Sequence, residues 1–153
     1  MNKEQIIQIF SNKIKLVRTE RNYSQDKMAN VLGLSKKTLL QIEKGRQEAN
    51  WSSVVALCAL FRDSEILQSV LGSDPLEVLE VIAHESIERP IDKTGPRDKT
   101  LGGRVWWKEI KSKNGYRLQQ NLISQHYRIL DESNYRYFSS FNKKEALNYL
   151  DQL

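Results

Sequence analysis

Several residue types that often define a class of protein are scarce in this chain. Cysteine occurs once, at Cys58, so neither an intramolecular disulfide nor a cysteine-based metal cluster can form. The two histidines, His84 and His126, have no metal-ligand spacing to each other or to Cys58. No apolar run approaches the roughly 20 residues of a membrane span, and the polar-interrupted N-terminus is not typical of a signal peptide. We therefore expect a cytoplasmic protein without a metal, another cofactor or a membrane partner.

Patterns that support catalysis are equally scarce. Gly102-Gly103 is not followed by the Gly-Lys-Ser/Thr of a phosphate-binding loop. Cys58 lies among apolar residues, which favours a buried structural position over a nucleophilic one. The sequence therefore predicts a protein that is not an enzyme.

Charge is distributed unevenly along the 153 residues. Lys and Arg number 24 against 19 Asp and Glu, a net charge of +5 that leans mildly towards anionic partners. Residues 1–72 and 101–153 each carry a net +4, whereas residues 73–100 carry −3 and contain all three prolines. The run ERPIDKTGPRDKTLGG, Glu88 to Gly103, consists mainly of turn formers and charges and is typical of a linker. These shifts predict three parts: a domain at 1–72, a helix and flexible linker at 73–103, and a second domain at 104–153.

The first 72 residues have the spacing of amphipathic helices. Apolar residues recur every three or four positions from Lys3 to Arg21, which predicts a long first helix. Ser24 and Ser35 are good N-caps for two short helices, and Gly33 and Gly45 can end them in a left-handed conformation. The predicted helices are Lys3–Arg21, Gln25–Leu32, Lys36–Lys44, Ser52–Phe61 and Ser64–Leu71, followed by one that begins at Pro75.

The last third is rich in aromatic and β-branched residues. Four runs have strand character: Arg104–Ile110, Tyr116–Leu122, Gln125–Leu130 and Asn134–Phe141. Asn114-Gly115 is a strong hairpin signal, and a two-residue turn there would pair Ile110 with Gln119. Lys143–Leu153, capped by Asn142, predicts a closing helix. The expected fold class is α + β, with an N-terminal five-helix bundle followed by a small antiparallel sheet of three to four strands and one closing helix.

The two short helices meet at a single Gly-Leu-Ser corner. In SQDKMANVLGLSKKTLLQIEKG, residues 24–45, Ala29 is small where the helices would cross and Gly33 permits the corner. Leu39 and Ile42 are spaced to hold the second helix against a core. A helix-turn-helix of this kind can place the N-terminal end of its second helix in the major groove of DNA.

At these residues the sequence resembles the Cro/cI-like (XRE) family of helix-turn-helix DNA-binding domains, and Lys13–Phe61 aligns with that family without gaps. The resemblance covers the predicted first domain and implies nothing about residues 73–153. It implies a lambda-repressor-like five-helix domain that binds double-stranded DNA sequence-specifically, usually as a dimeric repressor of transcription.

The resemblance also implies roles for individual residues. Positions that contact base edges in the family match Ser35, Lys36, Lys37 and Gln41. Lysine can pair there with guanine, and glutamine with adenine.

Other matched positions imply contacts to phosphate or within the domain. Gln25 matches a phosphate-binding position, and Lys44 and Arg46 are further phosphate candidates. Arg18 and Glu43 match positions that form a structural ion pair between the first and third helices.

Two positions depart from the family pattern. Ala49 stands where proline is common, so we expect the loop before the fourth helix to be less rigid. Leu40 stands where residues are more often small or polar. It could contact a thymine methyl group or cover the corner between the second and third helices.

The role of residues 104–153 has three alternatives. Their aromatic residues could simply fill a small core, with arginines solvating its outside. They could form a second DNA-contacting surface, since the order of strands and helix faintly resembles the AP2/integrase-arm type of domain. They could also form a subunit interface, because aromatic residues and arginine favour interface cores. We expect a homodimer held together through this segment, which could also bind another protein.

The function expected from these patterns is sequence-specific DNA binding by a transcriptional regulator. Two alternatives remain open. The chain could be the antitoxin of a toxin–antitoxin pair that regulates its own synthesis, or a DNA-binding accessory protein of a phage or mobile element.

Overall fold

A computed structural model describes residues 1–72, 74–88 and 106–153. The chain forms two compact units, Met1–Leu79 and Glu80–Leu153. The helices in the described ranges are α1 (Lys3–Glu20), α2 (Gln25–Leu32), α3 (Lys36–Glu43), α4 (Trp51–Leu60), α5 (Glu65–Leu71), α6 (Pro75–His84) and α7 (Lys143–Gln152). The strands are β1 (Ser86–Glu88), β2 (Trp107–Lys113), β3 (Tyr116–Asn121), β4 (Tyr127–Leu130) and β5 (Arg136–Ser140).

The N-terminal unit is built around α1. Its buried side chains recur at three- and four-residue spacing, at Ile6, Phe10, Ile14 and Val17. The helices α3, α4 and α5 all pack against α1, so one apolar stripe supplies the centre of the bundle. The five predicted helices are present, and each begins and ends within one residue of its expected bounds.

The C-terminal unit is an antiparallel sheet with the strand order β1-β5-β4-β3-β2. Leu118, Ile129 and Phe138 lie side by side on β3, β4 and β5 and face the same side of the sheet. On that side, Ala146 and Leu150 of α7 complete a buried apolar cluster. The α + β fold class and the closing helix are confirmed.

The sheet has one strand more than the three to four expected. This strand, β1, pairs with β5 so that Ile87 lies opposite Ser139. Its three residues lie among charges and turn formers and form too short a run to predict a strand, so only the partner strand defines them. The predicted linker begins at Glu88, which belongs to β1, and the rest of it lies outside the described residues.

The hairpin between β2 and β3 has the predicted turn, with positive φ at Asn114 (51°) and Gly115 (82°). The predicted pairing of Ile110 with Gln119 is wrong. Glu109 pairs with Gln119 instead, and Ile110 is the extra residue of a β-bulge. Ile110 is partly buried against the α7 cluster, so the bulge keeps an apolar side chain in contact with the core.

Candidate nucleic-acid interface

The corner between α2 and α3 sets the geometry of the helix-turn-helix. Gly33 ends α2 with a φ of 66°, and the following N–H, of Leu34, donates to the carbonyl oxygen of Ala29 at 2.8 Å. A Cβ atom on Gly33 would meet nothing within 4 Å, so glycine is favoured by the backbone conformation and not by crowding. Ser35 then caps α3, where its Oγ accepts the Thr38 N–H at 3.0 Å.

The third helix has a buried inner face and an exposed outer face. Leu39 is fully buried and Ile42 is 3% exposed, which fixes α3 against the bundle. Leu40, one of the two departures from the family pattern, is half-buried. Of the side chains matched to base-contacting positions, the half-buried one is Gln41 and the exposed ones are Ser35, Lys36 and Lys37. A helix arranged in this way can enter a groove with its first turns while keeping its core contacts.

Two of these side chains already have partners in the protein. Ser35 Oγ caps the helix and also lies 2.8 Å from Thr38 Oγ1. Lys36 Nζ donates to Asp26 Oδ2 at 2.7 Å, and both side chains are largely exposed. Such a surface pair contributes only about 0–1 kcal/mol, so Lys36 can exchange Asp26 for a base at small cost. Within the described residues, the side chain of Lys37 makes no hydrogen bond or ion pair.

A buried ion pair joins α1 to α3. Arg18 Nε donates to Glu43 Oε1 at 2.6 Å and Arg18 Nη2 donates to Glu43 Oε2 at 3.2 Å, a bidentate arrangement. Arg18 Nη1 also donates to the carbonyl oxygen of Tyr23 at 2.9 Å, and the Glu43 side chain is only 3% exposed. Gln25 Nε2 donates to Glu43 Oε2 at 3.0 Å, which connects the start of α2 to the pair. An amide nitrogen carries two hydrogens, so Gln25 can bind Glu43 and a phosphate at the same time.

The pair makes the stability of the N-terminal unit dependent on pH. Burial alone raises the pKa of Glu43, but the hydrogen bonds from Arg18 and Gln25 outweigh it and hold that pKa below its usual value. A carboxylate with a lowered folded-state pKa contributes stability above its unfolded pKa, about 4.3 for glutamate, and loses it as the pH falls towards the folded value. We therefore expect the free energy of unfolding to decrease as the pH is lowered from about 4.3. In Glu43→Gln, the part of this decrease that comes from protonation of Glu43 should be absent. Urea unfolding at a series of pH values measures both. An unchanged pH profile in Glu43→Gln would contradict the assignment.

The residues after α3 present two cations. Gly45 has a φ of 67° and its N–H donates to the carbonyl oxygen of Ile42 at 2.9 Å, while the Arg46 N–H donates to that of Gln41 at 2.9 Å. These bonds fix the backbone from which Lys44 and Arg46 extend, and both side chains are exposed. In the part of the chain that the structure describes, neither side chain has a protein partner, so both are free to bind phosphates.

Sequence reasoning missed two polar residues of this region, Asp26 and Ser11. Asp26 forms an ion pair with Lys36. The sequence indicates this pair through opposite charges at the starts of two adjoining helices. Ser11 is 6% exposed and its Oγ accepts the N–H of Ala49 at 2.8 Å. Its signal was a hydroxyl directly beside Phe10 in the buried stripe of α1, because a buried polar group needs a partner.

Two arginines of the C-terminal unit, Arg128 and Arg136, are buried within it. The Arg128 side chain is buried, its guanidinium carbon lies 3.6 Å from the ring centroid of Trp107, and its Nε donates to Gln119 Oε1 at 3.1 Å. Arg136 donates to Glu80 Oε2 at 2.8 Å and its side chain is 4% exposed. Their engagement inside the unit counts against a second DNA-contacting surface formed by these strands.

Of the aromatic residues that the structure describes in this unit, four are buried, four are half-buried and one is exposed. Those that are buried are Trp107, Tyr127, Tyr137 and Phe138, whereas Trp106 is 44% exposed. Arg117 donates to Asn134 Oδ1 at 2.5 Å, and Arg104 lies outside the described residues. The aromatic residues thus mainly fill a core, although the arginines beside them do not simply solvate its outside.

Three other features that could support a function are a membrane-spanning helix, a metal site and a reactive thiol. No helix in the described ranges is both long enough and apolar enough to cross a membrane. The same ranges hold no group of three or more His, Cys, Asp or Glu residues that could bind a metal ion. Burial, together with the charge of Asp74, raises the pKa of the Cys58 thiol to about 12, so this cysteine is not a reactive thiolate at neutral pH.

Comparison with known proteins adds one match. A family model described as Helix-turn-helix matches residues 14–62, the segment that runs from the middle of α1 to just beyond α4. Searches among curated proteins and among solved structures found no match. The match confirms the resemblance found at the Gly-Leu-Ser corner. Residues 14–62 of this chain are therefore similar to helix-turn-helix domains, and this similarity supports sequence-specific DNA binding.

Proposed function

We propose that this protein is a transcriptional regulator of the repressor type, which binds operator DNA in the cytoplasm as a dimer and carries out no catalysis. The outer face of α3 carries the proposal. It presents cationic and amide side chains on a helix whose inner face is fixed by Leu39, Ile42 and the Arg18–Glu43 pair. Repression is the simplest consequence, because a protein bound over a promoter blocks transcription by occupancy alone.

The proposed contacts follow from the exposure of each side chain. The first turns of α3 lie in the major groove, where Lys36 and Lys37 donate to guanine and Gln41 pairs with adenine. Ser35, at the start of the helix, is proposed to bind a base edge or the adjoining phosphate. The side chains proposed for phosphate are Gln25, Lys44 and Arg46.

Dimerisation is proposed because one recognition helix contacts only a few base pairs. Two copies of α3 spaced about 34 Å apart would contact two half-sites one turn of DNA apart. The edges of the sheet do not favour strand-to-strand pairing between copies, since β1 has only three residues and β2 carries a bulge and the lysines Lys108, Lys111 and Lys113. We therefore propose that side-chain packing, and not extension of the sheet, holds the dimer together.

Selection of bound sequences from a random DNA pool tests this proposal. We expect a short palindrome whose half-site centres lie about 10 base pairs apart, and a dimeric mass on that DNA by analytical ultracentrifugation. Recovery of a single half-site with a monomeric mass would contradict the dimer but keep the DNA-binding function. Failure to enrich any sequence would overturn the function itself. A small protein that co-purifies with the chain would favour the antitoxin alternative.

A further inference from the structure

The loop between α3 and α4, residues 44–50, carries both cations proposed to bind phosphate and is held at each of its ends. At the first end, the N–H groups of Gly45 and Arg46 donate to carbonyl oxygens of α3. At the second end, Ala49 is 5% exposed and its N–H donates to Ser11 Oγ at 2.8 Å. Asn50 follows at once as the N-cap of α4.

The Ser11 hydroxyl can hold the second end of the loop without help from another side chain. Its Oγ donates to the carbonyl oxygen of Ile7, one turn earlier in α1, at 2.7 Å, and accepts from Ala49. The hydroxyl therefore uses its single hydrogen within α1 and offers a lone pair to the loop. Replacing Ser11 with alanine would leave the Ala49 N–H buried without an acceptor, which a native interior rarely tolerates.

The residue at position 49 explains why the serine matters here. The family pattern commonly has proline at this position, and a proline ring fixes the backbone but has no N–H to donate. Alanine gives up the ring and supplies the N–H. In this chain the loop is therefore restrained by a hydrogen bond to α1 and not by a proline ring.

We infer that Ser11 is a positioning residue for DNA binding: through Ala49 it holds the α3–α4 loop on α1 so that Lys44 and Arg46 meet phosphates. This inference rests on the proposed function. It also extends that function, because it assigns part of the phosphate affinity to a buried side chain that cannot itself touch DNA.

Titration of the full-length chain with its selected operator at several salt concentrations tests the inference. For Ser11→Ala we expect weaker binding and a shallower slope of log K against log salt, by about 1 for each phosphate that the loop no longer binds. Instability alone would lower the active fraction without changing that slope. Ser69→Ala is the matched control, because Ser69 is exposed and its Oγ donates only to the carbonyl oxygen of Ile66 within its own helix region. It should bind like the wild type.

A second variant separates the loop from the fold. Ser11→Ala combined with Ala49→Pro has no stranded N–H, and the proline restores local rigidity, so affinity and salt slope should recover towards the wild-type values. A Ser11→Ala protein with an unchanged salt slope would overturn the inference while leaving the proposed function intact. A double variant as weak as Ser11→Ala would overturn it too. If the wild-type chain itself shows no preference for any DNA, the proposed function fails, and this inference fails with it.

Discussion

Replacing Glu43 with alanine is expected to lower the free energy of unfolding of the N-terminal unit by about 3 kcal/mol. The substitution strands the guanidinium of Arg18, which is only 13% exposed. Breaking a buried pair costs about 3–5 kcal/mol, and we expect the lower end because Arg18 keeps its bond to the Tyr23 carbonyl oxygen. For a unit of this size the loss corresponds to a melting temperature lower by about 12–24 °C, measured by circular dichroism.

Control variants separate this effect from the loss of a negative charge alone. Glu48→Ala removes an exposed carboxylate a few residues further on and should change stability by less than about 0.5 kcal/mol. Replacing both partners with apolar residues, Arg18→Met with Glu43→Leu, should recover much of the stability, because no charge is then left unpaired. Glu43→Ala should also weaken DNA binding, since Gln25 loses the carboxylate that orients it. A Glu43→Ala protein that melts normally but fails to bind would instead make Glu43 a DNA contact.

Local signals explain why the helical unit could be predicted closely from its sequence. Ser24 and Ser35 each cap the helix that follows them, and Gly33 has the left-handed conformation expected at the end of α2. These signals act over three or four residues, so the residues that determine each helix end lie directly beside that end in the sequence. Two helix starts differ from the prediction by one residue: α4 begins earlier because Asn50 caps it, and α5 begins later because Ser64 is its cap.

Features of the C-terminal unit depend on partners that are distant in sequence. The strand β1 exists because Ile87 finds Ser139 on β5, and the bulge at Ile110 exists because α7 offers it an apolar contact. Neither feature leaves a periodic signal in the strand itself. The polar row formed by Gln119, Arg128 and Ser139 is also buried, so alternation of polar and apolar residues does not distinguish the two faces of this sheet.

The candidate interface also has some features that local sequence signals predict and others that depend on contacts between elements. The exposure of Lys36 and Lys37 and the inward position of Leu39 follow from helical spacing and the N-cap at Ser35. The bonds from Asp26 to Lys36 and from Ser11 to Ala49 instead depend on how two elements approach each other. Spacing along one helix therefore predicts which side chains face outward, but not which of them already has a partner.

Removing both lysines from the start of α3 is expected to abolish most operator selectivity. Each lysine-to-base contact is worth about 1–3 kcal/mol, so the double variant Lys36→Ala with Lys37→Ala should lose at least about 30-fold in operator affinity. Binding to random DNA should fall much less, because the phosphate contacts of the α3–α4 loop remain. Of the single variants, Lys37→Ala should lose more, since Lys36 must first leave Asp26. Gel-shift titration against the operator and a scrambled duplex measures the ratio.

A pair of lysines at the same helical positions elsewhere in the chain provides the control. Lys143 and Lys144 are the first two residues of α7, and both are exposed, as Lys36 and Lys37 are in α3. Removing them lowers the net charge of the protein by the same +2 and therefore weakens its long-range attraction to DNA equally, without altering α3. If the two double variants lose operator affinity equally, the lysines of α3 act only through net charge. If Lys36→Ala with Lys37→Ala leaves operator affinity intact, α3 is not the helix that contacts the bases. Only a loss confined to the α3 pair, and to the operator, assigns the base contacts to these residues.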